Sequence, residues 1–284
     1  MCSAILERVL SGRWIAGPYI SDAINQAQKF NGYGITPIIN YLGEDYSERA
    51  DVKKSIAVYK ELIARISEAR IRADISVKPT QLGLKIDEQY FEKNYILLSR
   101  LALSKNIRLW LDMETADYVD QTISAYKRAV HLGNVGICIQ SYLRRSRRDI
   151  RELLDYDIHA NIRLVKGAYT SNKSSAFIGR DKITDNYHTL MKYLFEKGRR
   201  FTIATHDDGI VTEAIRMNLK YKRDVTYAML RGIRNGYLIQ LSRMGFQTSV
   251  YVPFGDEWVS YSYRRLKEGG HLSLIIRSLF DYSI

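Results

Sequence analysis

From about residue 34 onward, hydrophobic and polar positions follow a regular succession. Short apolar runs of strand length are each followed by a longer stretch with apolar residues at helical spacing. The strand-like runs are Ile35–Leu42, Arg72–Val77, Ile107–Leu111, Val135–Ile139, Asn161–Val165, Arg200–Ala204, Val225–Met229 and Gln247–Val252. The helix-like stretches include Val52–Ile66, Asp87–Leu103, Ala116–Ala129, Thr184–Phe195 and Gly209–Leu219, then a helix running to Arg243 and another at Trp258–Lys267. Ahead of the first strand, residues 1–33 predict short helical pieces, one of them Ser21–Phe30 with Ser21 or Asp22 as N-cap. A last amphipathic segment, Leu272–Phe280, closes the chain.

Eight strand–helix pairs with no Pro- or Gly-rich linker predict an α/β fold of the TIM type, a (β/α)8 barrel in a single domain. Its parts would be an N-terminal helical arm (1–33), the barrel (34–268) and a C-terminal helix (269–284). The rival is a doubly wound open sheet, which carries a Gly-rich phosphate turn after its first strand. Here Gly32 and Gly34 precede that strand, and G-x-G-x-x-G is absent.

Composition narrows the class without choosing a function. A chain of 284 residues can bury a full core as one large domain, and 46% hydrophobic with 26% charged residues is globular rather than disordered. Two cysteines, Cys2 and Cys138, give neither a disulfide framework nor a metal spacing, which suits a reducing, cytoplasmic setting. Cys138, inside an apolar run, reads as a small buried hydrophobe. No apolar run approaches the ~20 residues that cross a bilayer, and Glu7 and Arg8 stand where a signal peptide would be apolar. The net charge of +12 admits a nucleic acid, an anionic membrane surface or an anionic ligand. The cluster Arg144, Arg145, Arg147, Arg148 and Arg151 falls on more than one helix face and is interrupted by Asp149 and Glu152, as on a solvated outer helix; no nucleic-acid partner is expected. The five histidines show no metal-binding spacing, so no metal is expected, and there is no G-x-S-x-G elbow.

Barrel enzymes place their chemistry at the C-terminal ends of the strands. Those ends carry Lys78, Asp112, Gln140, Arg163 with Lys166, Thr205 with His206, and Tyr251. Within Arg163-Leu164-Val165-Lys166-Gly167-Ala168-Tyr169, a charge interrupts an apolar run and two small residues follow. A buried Arg163 is unfavourable unless it is paired or touches a ligand. Gly167 and Ala168 leave bare backbone against which a flat anionic group could lie. If residues 261–265 are helical, Tyr261, Arg264 and Arg265 share a face and make a clamp for a carboxylate or phosphate. A solvated basic turn pairing with Glu268 is the plainer account of that stretch.

Several of these residues carry a resemblance. Arg163 to Tyr169, Ala204-Thr205-His206, Met229-Leu230 with Gly232-Ile233, and Tyr251 through Arg265 resemble the proline dehydrogenase family, as do Ser76-Val77-Lys78, Asp112 and Gln140. The resemblance implies a distorted barrel that holds FAD non-covalently across its strand ends. It also implies oxidation of L-proline to Δ1-pyrroline-5-carboxylate by hydride transfer to flavin N5, the first step of proline catabolism. By position, Asp112 and Arg163 would be catalytic. Met113, Gln140, Arg163, Lys166, Gly167, Ala168, Thr205, His206 and Glu268 would hold the cofactor. Lys78, Tyr169, Tyr251, Tyr261, Arg264 and Arg265 would hold proline, the arginines on its carboxylate with Asp112 balancing their charge. Family members pass electrons to a quinone, which would bring a cytoplasmic chain to the inner face of the cell membrane as a peripheral partner. Asp207 and Thr170 depart from the family's usual Asn and acid, while the bulky Tyr251 matches an oxidiser of proline rather than of hydroxyproline. The apolar side chains of 272–280 could cover the barrel, join subunits into a homo-oligomer or touch lipid, cover being the simplest.

Two other readings compete. A barrel lyase would use Lys78 or Lys166 as a Schiff-base nucleophile. A non-enzymatic basic module would rest on the +12 charge alone.

Overall fold

Each of the eight strands pairs in parallel with the next in chain order, and the eighth returns to the first, so the sheet closes on itself. The strands are β1 (Thr36–Tyr41), β2 (Asp74–Val77), β3 (Leu109–Leu111), β4 (Val135–Gln140), β5 (Ile162–Val165), β6 (Arg200–Ala204), β7 (Asp224–Leu230) and β8 (Gln247–Phe254). The structure, a computed structural model, describes residues 13–167, 169 and 171–257. Helix α1 (Ile20–Gly32) precedes the barrel, and α2 (Arg49–Glu68), α3 (Glu88–Ser104), α4 (Val119–Ala129), α5 (Ser146–Tyr156), α6 (Arg180–Lys197), α7 (Asp208–Tyr221) and α8 (Asn235–Arg243) connect successive strands. The helix expected after β8 and the C-terminal segment lie outside the described residues.

Strand pleating puts alternate side chains on opposite faces. Outward positions such as Ile75, Val77, Leu109, Leu111, Ile137, Leu164, Ile203 and Val252 are fully buried against the helices. Many inward positions are polar instead, among them Asp74, Ser76, Asp112, Gln140, Arg163, Thr202 and Ser249. Contacts between strands that are not neighbours, Arg163 on β5 with Ser76 on β2 and Tyr251 on β8 with the β3 end, can be made only across the lumen. The hydrophobic core therefore lies mainly between sheet and helices, and the lumen mixes charge and hydroxyl groups with a few apolar side chains such as Ile38 and Trp110. At the N-terminal mouth of the barrel a cavity of about 210 Å³ is walled in part by Asp74, Arg108, Trp110, Thr202 and Thr226.

The boundaries differ from the sequence reading where side chains capture backbone. β2 begins at Asp74, two residues later than expected, because Asn31 takes both backbone groups of Arg72 (N–H to Oδ1 2.8 Å, Nδ2 to O 2.9 Å). β3 likewise starts late: Ile107 donates its N–H to the end of α3 and accepts from Asn134. α1 is capped by neither Ser21 nor Asp22. Tyr19 is its N-cap, and Asp22 sits three residues on, accepting the Tyr19 N–H at 3.0 Å. The stretch expected as one helix from Ala116 opens with a 3-10 turn (Ala116–Tyr118) before α4.

Candidate active site at the C-terminal rim of the barrel

Asp112, just past β3, gathers side chains from three other strands, β2, β5 and β8. Its Oδ1 accepts from Ser76 Oγ at 2.6 Å and from Arg163 Nη2, and its Oδ2 accepts from Tyr251 Oη at 2.7 Å and lies 3.5 Å from Lys78 Nζ. Burial pushes the Asp112 carboxyl up, but Arg163 and Lys78, with the hydrogen bonds from Ser76 and Tyr251, more than offset this and hold it below the usual carboxylate range. One carboxylate thus serves two cations, and the cluster retains a positive charge suited to an anionic group. Lys78 also reaches Asn40 Oδ1 at 3.5 Å, which brings β1 into the network.

Arg163 is buried and held on one edge, since Nη2 also donates to Ser76 Oγ at 3.1 Å. Its guanidinium lies 4.9 Å from the Trp110 ring centroid and 5.5 Å from that of Tyr251. The Cys138 thiol is close by, and burial raises its pKa and keeps it neutral. Among the described residues, two buried polar atoms at this level have no hydrogen-bond partner, the donor Arg163 Nη1 and the acceptor Gln140 Oε1. Gln140 is oriented by its own Nε2, which donates to Met113 O at 2.7 Å.

Around this centre the loops carry further contacts. Lys166 donates to Asp207 Oδ2 and Thr184 Oγ1, both at 3.2 Å. Asp207 is also the N-cap of α7, accepting from the N–H groups of Gly209 and Ile210, a task Asn would serve equally, so what the acid adds here is the ion pair with Lys166. His206 Nε2 accepts the Leu230 N–H at 3.0 Å, and Thr205 Oγ1 accepts the Asp207 N–H at 3.2 Å. Tyr169 donates to Glu44 Oε2 at 3.0 Å, linking the loops after β5 and β1. Glu114 accepts both the N–H (2.8 Å) and the hydroxyl (2.7 Å) of Thr80, which ties the β3 loop to the β2 loop. Burial pushes Glu114 up to about 7 despite those hydrogen bonds.

The structure therefore brings Lys78, Asp112, Arg163 and Tyr251 into one cluster and sets Gln140 and Met113 beside it. Lys166, Thr205 and His206 stand at the adjoining strand ends. Ala168, Tyr261, Arg264, Arg265 and Glu268, with Thr170, lie outside the described residues. Asp112 balances Arg163 and Lys78, while its expected balancing of Arg264 and Arg265 falls on residues outside those described. Gly167 has a local reason to be small as well: its φ is +98°, and a Cβ would fall 2.2 Å from the Tyr142 ring. Both candidate Schiff-base lysines are ion-paired, unlike the unpaired, desolvated amine that chemistry uses. Asn40, Glu44, Trp110 and Glu114 were missed, and Ser76 was given no role. A polar residue at an inward position within an apolar strand run was the available signal for Asn40 and Ser76. Among the described residues, no group of His, Cys, Asp and Glu is arranged to hold a metal ion.

Comparison with known proteins bears on the family and the fold. The family model described as Proline dehydrogenase matches residues 23–277. Proline dehydrogenase from Deinococcus radiodurans is 32% identical over 268 residues, covering 91% of this chain and 86% of the relative. Proline dehydrogenase 1 from Bacillus subtilis strain 168 is 29% identical over 265 residues, covering 92% and 87%. Among solved structures, proline utilization A (PutA) from Bdellovibrio bacteriovorus, inactivated by N-propargylglycine, superposes with a TM-score of 0.87 at 20% identity over 99% of this chain. PutA from Corynebacterium freiburgense gives 0.80 at 21% over 97%. The chain spans about a third of those PutA chains (35% and 32%), and at this identity the likeness speaks for the fold.

Proposed function

The chain belongs to the proline dehydrogenase family, and we propose that it oxidises L-proline to Δ1-pyrroline-5-carboxylate with FAD held non-covalently at the C-terminal rim of the barrel. The observation that carries this reading is the Asp112 cluster, in which Lys78 and Arg163 share one carboxylate and an unpartnered donor and acceptor stand beside it. Arg163 Nη1 and Gln140 Oε1 would meet the polar edge of a planar ring, so the residues present fit a flavin. FAD, when bound, would accept the hydride lost from the proline ring carbon next to nitrogen.

The chain's own residues supply position and field. Lys78, with Arg264 and Arg265, would hold the substrate carboxylate, and Tyr169, Tyr251 and Tyr261 would wall its ring. Asp112 keeps Lys78 and Arg163 in place and holds the Tyr251 hydroxyl as a donor, so the ring of Tyr251 is fixed on its polar end. Arg163 would place a fixed positive charge where negative charge grows on the cofactor. Met113, Lys166, Gly167, Ala168, Thr205, His206 and Glu268 would line the rest of the cofactor. Electrons would leave to a quinone-type acceptor at a membrane surface. Among the described residues, no helix is long and apolar enough to cross a membrane.

The test is anaerobic titration of FAD-supplemented protein with L-proline. Bleaching of the flavin absorbance is expected; a protein that takes up no flavin, or whose flavin proline does not bleach, would sink the proposal. Arg264→Ala and Arg265→Ala should each lose more than ~10-fold in kcat/KM for proline, the effect of removing a charge-assisted contact.

A further inference from the structure

Below the Asp112 cluster, three neighbouring strands devote their inward positions to one construction. Trp110 on β3 is buried, and its indole Nε1–H donates to Asp74 Oδ2 on β2 at 2.9 Å. Its register partner on β4 is Gly136, where a Cβ would lie 2.4 Å from the indole ring, so that strand has given up its side chain to the tryptophan. Arg108 Nη1 stands 3.5 Å from the same Asp74 oxygen, and Asp74 forms part of the wall of the floor cavity. The construction meets the rim at Arg163, whose guanidinium lies 4.9 Å from the Trp110 ring centroid.

Arg163 is anchored mainly through Nη2, which takes both Asp112 and Ser76, with the Cys138 thiol of the neighbouring strand as a weaker partner. A guanidinium fixed on one edge keeps the freedom to swing its plane about that edge. A ring against its face removes this freedom, and the contact strengthens as it is desolvated. The direction of Nη1 is therefore set chiefly by the indole, the nearer of the two rings against the guanidinium, and the angle of the indole by Asp74. A buried indole N–H needs an acceptor, but a largely buried carboxylate is an expensive choice where the floor already carries hydroxyls of Thr202, Thr226 and Ser249. Burial raises the Asp74 carboxyl, while Arg108, the indole and Arg163 each act to lower it, so its charge is felt by Arg163 from beneath.

We propose that Trp110 and Asp74 are positioning residues that act from the barrel floor through Arg163, directing its Nη1 and thereby setting the reduction potential of the cofactor. This rests on the reading of Arg163 as a neighbour of the flavin.

The primary measurement is the two-electron midpoint potential of the FAD-loaded protein. Trp110→Leu and Asp74→Ala should each weaken the preference for reduced flavin roughly tenfold, about 30 mV downward. Asp74→Asn keeps an oxygen for the indole and should stay nearer the parent than Asp74→Ala. Variants that lose only thermal stability, with an unchanged potential, would overturn the proposal. A second measurement needs no flavin: the Arg163 side-chain N–H resonance, assigned by its loss in Arg163→Lys, should shift in Asp74→Ala as the indole tilts. An unmoved resonance would likewise refute the positioning unit, whereas a parent protein that takes up no flavin would refute only the functional reading.

Discussion

Asp112 and Glu114 stand two positions apart, and their surroundings drive them in opposite directions. Asp112 has its pKa lowered, so its contribution to stability is present above the unfolded value and is lost as the pH falls through the folded one. Asp112→Ala strands Lys78 and Arg163 in the lumen, and denaturant unfolding at pH 7 should show a loss of about 3–5 kcal/mol. Asp112→Asn keeps one acceptor oxygen, enough for Ser76 or for Tyr251 but not for both, and should lose less than Asp112→Ala. Glu114 is raised from 4.5 to about 7, so its contribution is complete below the unfolded value and is lost as the pH rises through about 7. Between pH 4 and pH 8 the parent should therefore lose on the order of 3 kcal/mol relative to Glu114→Gln. Parallel stability profiles for the two proteins would contradict the assignment.

Among the elements, α7 begins on a residue with two tasks. Asp207 caps the helix and also pairs with Lys166, and the two can be separated because Asn caps as well as Asp. Asp207→Asn should leave thermal stability nearly unchanged while freeing Lys166, and Asp207→Ala should cost about 1 kcal/mol more. Equal and substantial losses for Asn and Ala would show that the ion pair, not the cap, holds this helix start. The turn after β5 is stricter. Gly167→Ala meets both a left-handed φ and the Tyr142 ring, and should cost about 1–3 kcal/mol in unfolding experiments. All eight strands could be read from the sequence because their outward residues form short apolar runs. The late starts of β2 and β3 could not, since Asn31 lies 41 residues from the backbone it captures and Asn134 lies 27 from its own. The strand ends disclosed Lys78, Asp112, Arg163 and Tyr251, but not that Asp112 would be their common partner. Trp110 escaped notice because an aromatic residue in an apolar strand is ordinarily core, and only the lumen gives it another neighbour.

For the molecule as a whole, the charge of +12 matters less to the proposed substrate than its size suggests. L-Proline is a zwitterion with no net charge, so long-range steering has little to act on, and the buried cluster is poorly screened. kcat/KM for proline should change less than about twofold between 50 and 500 mM salt. A steep fall would mean that a surface charge takes part in capture. The closure of the barrel has a consequence of a different kind. β1 has one neighbour in β2, but its other edge is completed by β8, from Thr36 opposite Ser249 to Tyr41 opposite Phe254. Those partners are more than two hundred residues apart in the chain. At roughly 5–20 residues per second, a ribosome needs about 10–40 s to deliver the second after the first. Throughout that interval a nascent chain carries an unsatisfied edge to which another nascent chain could add a strand. Synthesis rate and chaperone supply, more than the stability of the finished barrel, should then govern the yield of this protein in a cell.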